Sequence, residues 1–117
     1  MAYDEELAHR VRELISQEDG LSEMTMFGGL AFLLDGNLTV AVSSRGGLML
    51  RVGAGADEKA MARPHVEGVH MGERPMKGWV RIHPDGLRTR RQLSSWVTRG
   101  VSFARTLPPK RARARPR

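Results

Sequence analysis

A run of twelve residues, Met26-Phe27-Gly28-Gly29-Leu30-Ala31-Phe32-Leu33-Leu34-Asp35-Gly36-Asn37, sets the terms for the rest of the chain. Leu30 to Leu34 is unbroken apolar sequence, and five residues is the length of a strand rather than a helix. It predicts a strand buried in a sheet. Gly28-Gly29 removes two Cβ atoms just before it, which suits a bulge or a close backbone crossing. Asp35-Gly36-Asn37 supplies residues that tolerate positive φ, the chemistry of a tight hairpin.

A hairpin implies a partner strand, and Leu38–Ser43 provides it. Leu38, Val40 and Val42 fall on one face, Thr39, Ala41 and Ser43 on the other. Ser44-Arg45-Gly46-Gly47 reads as a second turn, leading to Leu48–Val52. The pattern therefore predicts a three-stranded meander, with Met24–Phe27 as a short strand before it. Two further strands are expected at 66–71 and 78–83, joined by a loop over 72–78 on its Gly and Pro content.

The helices are legible from period and caps. Leu7, Val11, Leu14 and Ile15 make one apolar stripe in a first helix over 4–17, with Asp4 as its cap. Ala56–Arg63 is a short helix stopped by Pro64. A last helix from about Thr89 to Leu107 carries Leu93, Trp96, Val97, Gly100, Val101, Ala104 and Leu107 on one side. The economical arrangement is α+β: an antiparallel sheet of about five strands with helices packed on it, in the order α-β3-α-β2-α.

At 117 residues there is room for one core, and the hydrophobic and charged fractions are those of an ordinary globular chain. One domain over 1–109 and a tail over 110–117 are expected. The absence of Cys excludes disulfides, thiolate metal sites and a Cys nucleophile. The acidic N-terminus lacks the basic flank of a signal peptide, and the uncharged run 24–34 is too short to span a bilayer. A cytoplasmic protein without membrane contact is the expectation.

Net charge is +6 but unevenly placed. Residues 1–44 carry −6, residues 45–107 carry +7, and residues 108–117 carry +5. The excess thus sits in the tail, so the high isoelectric point says little about the domain itself. The tail alternates Lys110, Arg111, Arg113, Arg115 and Arg117 with Ala and Pro. It has no large apolar side chain and is expected to be disordered. Its five cations are candidates for sequence-independent contact with nucleic acid.

The strongest site candidate is Arg74-Pro75-Met76-Lys77-Gly78-Trp79. Two cations beside an indole suit a partner surface, a phosphate or a carboxylate, with Trp79 as a stacking plane. Other constellations are weaker. His65, Glu67 and His70 do not share one face of a strand, and zinc needs three or four convergent ligands. Gly53-Ala54-Gly55 lacks the third glycine of a dinucleotide loop, and Asp57 and Glu58 follow it where a phosphate would sit. Ser43 and Ser44 lack a nucleophile-elbow pattern, and nothing in the sequence gathers His9, His83 and Asp85 into one site. No catalytic set, metal or cofactor is expected.

Several of these stretches in combination resemble the N-terminal domain of the TfoX/Sxy competence regulators. They are Met26-Phe27-Gly28-Gly29-Leu30, Arg51-Val52-Gly53, Arg74-Pro75-Met76-Lys77-Gly78-Trp79, Trp96-Val97, Gly100, Phe103-Ala104-Arg105 and Leu107-Pro108-Pro109-Lys110. The resemblance covers roughly residues 5–110. It implies a fold similar to secretion chaperones and a link to regulation of DNA-uptake genes alongside a cyclic-AMP-responsive transcription factor. Regulators of that type carry a second, helical domain, whereas this chain reads as a stand-alone first domain with a basic tail. The expectation is a regulatory protein–protein interaction module with a transcription-related partner, and a homodimer through an exposed sheet edge is consistent with it. The rival is non-specific nucleic-acid binding through the tail and the basic C-terminal half.

Overall fold

The computed structural model describes residues 3–26 and 28–109. The basic run 110–117, with its expected disorder and nucleic-acid contacts, and Phe27 lie outside the described residues.

Six antiparallel strands form one open sheet in the order β1-β2-β3-β4-β6-β5. They are β1 (Leu21–Met26), β2 (Gly29–Leu34), β3 (Asn37–Val42), β4 (Leu48–Arg51), β5 (Val66–Met71) and β6 (Arg74–Ile82). The helices are α1 (Glu5–Ile15), α2 (Ala56–Met61) and α3 (Arg90–Ala104), and a single 3-10 turn covers Pro84–Gly86. The class is α+β as expected, but the meander has four strands rather than three.

Two sequence expectations need correction. The first strand begins at Leu21, seven residues before the glycine pair, and runs the full length of β2. Residues 72–78 are not a loop. β5 and β6 turn at Gly72-Glu73, and Arg74 already pairs with Met71. β4 ends at Arg51 opposite Trp79, so Arg74–Lys77 runs past it with a neighbour only on the β5 side. Pro75 therefore lacks no ladder partner there.

The central ribbon lies where its composition puts it. Phe32 and Leu34 are fully buried, with Val40, Val42, Leu48, Leu50, Val80 and Ile82 on the same side of the sheet. Leu7, Val11 and Ile15 of α1, and Leu93, Trp96 and Val97 of α3, close over them, and Ala60 of α2 joins the same core. Asp4 caps α1 as the sequence implies, its Oδ1 accepting from the Leu7 amide at 3.0 Å. The structure adds a capping box at the start of α3, where Thr89 and Gln92 exchange hydrogen bonds.

Register slips between Phe32 and Leu33, leaving Thr39 of β3 without a partner in β2. Thr39 consequently turns inward and is fully buried, against the alternation expected for Leu38–Ser43. Helix α3 rests on this bulge through Gly100. A Cβ on Gly100 would lie 2.8 Å from Val40 Cγ1 and 2.9 Å from the Thr39 carbonyl oxygen. Only a residue without a side chain lets the helix come that close.

The side chains facing away from this core, Leu33, Ala41, Met49, Trp79 and Arg81, are only partly buried. Met24 on edge strand β1 is 49% exposed. The three helices bury their apolar residues in the single core cluster on the other side.

Candidate functional site

The arrangement around Gly78 starts from a backbone requirement. Gly78 has φ of 88°, a conformation that side chains disfavour, and it is buried inside β6. The kink turns its amide toward the start of α2, where Asp57 Oδ2 accepts it at 2.9 Å. Asp57 Oδ1 accepts from the Gly55 and Glu58 amides, each at 3.1 Å. The Gly78 carbonyl accepts from the Val52 and Gly53 amides at 2.7 and 3.1 Å. A Cβ on Gly53 would in turn meet the Phe103 ring at 2.8 Å, and Arg51 Cζ lies 5.2 Å from the centroid of that ring. One knot thus joins the end of β4, the start of α2, the kink of β6 and the end of α3. Gly53-Ala54-Gly55 is a helix-entry turn, with the carboxylate of Asp57 where a phosphate would have to sit.

A second knot forms just beyond the same end of α3, at its C-cap Arg105. Arg105 donates to Glu18 Oε1 and to the Asp19 carbonyl, each at 2.9 Å, and to Asp35 Oδ2 at 3.3 Å. Asn37, buried beneath, donates to the Pro108 carbonyl at 2.9 Å. The end of α3 is thereby tied to the α1–β1 turn and to the β2–β3 hairpin.

Of the sequence candidates, Arg74 and Lys77 are exposed and have no hydrogen-bond or ion-pair partner among the described residues. Trp79 is half-buried and faces away from Val80, on the same side of the sheet as Arg81. Arg74 lies five positions from Trp79, at most about 17 Å along an extended strand, so the three are spread along β6 rather than gathered in a pocket. Two concavities among the described residues lie elsewhere. One of about 100 Å³ lies between α1 and α3, lined by Leu14, Glu18, Ser94 and Val97. The other, about 190 Å³, lies beside Arg10 and Leu87. Both are smaller than ordinary small-molecule pockets.

The histidines and acids are dispersed among salt bridges. Glu67 pairs across strands with Arg81 and sits 3.4 Å from His83 Nε2, and these neighbours, Arg81 foremost, hold its carboxyl below the usual range. His9 pairs with Glu13, and Asp85 with Arg88. Among the described residues, no three His, Asp or Glu side chains converge as a metal set.

The family model for the TfoX N-terminal domain matches residues 13–104. The chain belongs to the TfoX N-terminal domain family. Among curated proteins and among solved structures, nothing matches it. In this TfoX N-terminal domain the residues that carried the resemblance divide by role. Gly53, Gly78, Gly100, Phe103 and Arg105 hold elements together, while the side chains of Arg74 and Lys77 have no hydrogen-bond or ion-pair partner among the described residues and Trp79 is half open. No described helix is long and apolar enough to cross a membrane.

The Asp57 knot has a pH signature. The Gly78 amide, followed by those of Gly55 and Glu58, holds the Asp57 carboxyl below its ordinary range. The unfolded chain therefore binds the proton first, so the contribution is present above the unfolded pKa, near 4, and lost as pH falls through the lower folded value. Urea unfolding between about pH 5 and pH 2 is expected to show a steep acid loss of stability in the wild type. That loss is expected to be shallower in Asp57→Asn, because the substituted side chain binds no proton in either state.

Proposed function

We propose that this domain is a regulatory protein–protein interaction module that works through the sheet face opposite the helices. The carrying observation is the contrast within β6. Gly78 is committed to the fold, whereas Arg74 and Lys77 are exposed cations, unpaired among the described residues, on the strand that carries the half-open indole of Trp79. Along the same face lie Leu33, Met49 and the exposed Met24. An apolar, aromatic centre with cations at its margin suits a protein partner that brings an apolar patch rimmed by Asp and Glu. Family membership supports a transcription-related partner, and a cytoplasmic location accords with such a role. The helix-free face and the open β1 edge also suit a second copy, which light scattering of the purified chain distinguishes.

The test is affinity capture from the native host with the full chain, with Arg74→Glu/Lys77→Glu and with Met24→Lys. All three substituted side chains are exposed, so the variants are expected to unfold within about 0.5 kcal/mol of the wild type. A partner recovered reproducibly by the wild type and lost by both variants is the expected result. Equal recovery by all three proteins, or no reproducible partner for the wild type, overturns the reading.

A further inference from the structure

We infer that the outward face of α3, completed by Arg63 beyond the end of α2, binds the phosphate backbone of a nucleic acid. The starting observation is a pair of guanidinium groups on one indole. Arg63 Cζ lies 4.6 Å and Arg99 Cζ 5.2 Å from the centroid of Trp96. The two cations are thus within about 10 Å of each other, a distance comparable to the screening length at physiological salt. Neither makes an ion pair among the described residues. Both are exposed, whereas the ring beneath them is 4% exposed. Stacking holds a guanidinium by its flat face and leaves its N–H edges free for oxyanions.

The rest of the face is consistent with that chemistry. Arg91, Ser95, Thr98, Arg99 and Ser102 fall on one side of α3 and are all exposed. The helix contains no Asp or Glu at all. Arg90 and Arg91 occupy its first turn, where the helix dipole favours acids, and neither is paired among the described residues. Glu18, which lines the neighbouring groove, is already neutralised by Arg105.

The same face argues against a protein occupant. Large exposed hydrophobics among the described residues are Met24 and Met61, and neither is on α3. Protein interfaces need apolar or aromatic anchors at their centre, whereas nucleic-acid interfaces are polar and strongly positive. Arg91 and Arg99 are eight residues apart, about 12 Å along the helix axis. A single phosphate group reaches one of them; a strand carrying a phosphate at each nucleotide reaches both. This surface is distinct from the sheet face assigned to a protein partner, and the inference stands or falls without it.

The test is fluorescence anisotropy of the full chain with a short random-sequence DNA duplex, over a series of salt concentrations. Arg63→Gln/Arg99→Gln is expected to weaken binding and to reduce the log–log salt slope by about 1.8, two phosphate contacts at about 0.9 each. A full-length variant with Lys110, Arg111, Arg113, Arg115 and Arg117 changed to Gln is expected to bind more weakly yet keep that difference. Should Arg63→Gln/Arg99→Gln fail to fold, Arg90→Gln/Arg91→Gln carries the same expectation, because those side chains cover no ring. The inference is overturned if the wild type does not bind duplex, if the slope is unchanged by the folded helix variants, or if the tail substitutions alone abolish binding. It is also overturned if phosphatidylserine vesicles are bound in preference to the duplex.

Discussion

Replacing Phe32 by alanine is expected to remove about 3–5 kcal/mol of stability, the usual range for deleting a buried aromatic ring. Phe32 is fully buried at the middle of β2, with Glu23 of β1 on one side and Val40 of β3 on the other. Arg12 of α1 lies 5.9 Å above its ring while making a two-pronged ion pair with Glu23 at 2.7 and 2.9 Å. Because Phe32 shares one packed core with residues of α1 and α3, neither helix can collapse into the space without losing its own contacts. A domain of this size has about 5–15 kcal/mol in total, so the loss is a large share of it. Urea denaturation followed by Trp fluorescence measures it. A midpoint near the wild-type value would mean that β2 is not the centre of the core.

The second large effect concerns Gly78. Valine there is expected to cost about 2–4 kcal/mol, from two separate causes. A β-branched residue is strained at φ of 88°, and its Cβ would stand 3.1 Å from the Gly53 carbonyl carbon and from the Ala54 nitrogen. Both neighbours are backbone, and both are fixed by the hydrogen bonds that the Gly78 carbonyl and Asp57 make. Thermal unfolding of Gly78→Val compared with Arg74→Ala/Lys77→Ala separates joint from surface. The valine variant is expected to melt far below the wild type, and the double alanine variant to melt with the wild type. If valine were tolerated within about 0.5 kcal/mol, as on an ordinary surface, the knot around Asp57 would have no mechanical role.

The local features of this fold were legible where one segment carries its own signal. Asp4 and Thr89 announce helix starts, and Asp35-Gly36 and Gly46-Gly47 announce turns between apolar runs. Strand β1 was underestimated because Ser22-Glu23-Met24-Thr25 lies at the edge, exposed on both sides, and so shows no apolar alternation. Arg74–Lys77 read as loop because proline and flanking glycines usually break strands. Here the proline occupies a stretch that β4 does not reach. The bulge at Thr39 was invisible because it follows from register with β2, a property of two strands together.

The candidate site was legible in the same uneven way. Arg74, Lys77 and Trp79 stand out as a short cationic-aromatic motif, and the two cations are unpaired among the described residues. That Gly78 within the same motif belongs to the fold could not be read, since its partners Gly53 and Asp57 lie more than twenty residues away. The one local hint was a glycine pair followed two residues later by an aspartate. Arg63 and Arg99 on Trp96 come from separate elements, and only the i, i+3 spacing of Trp96 and Arg99 was visible.

Native-state hydrogen exchange at the Gly78 amide tests most directly whether this motif is a joint of the fold or a solvated binding loop. A buried amide held by Asp57 at 2.9 Å is expected to exchange only through global unfolding, with the core amides of β2 and β3. Exchange of Gly78 at the rate of a freely solvated amide, while the core stays protected, would contradict the account.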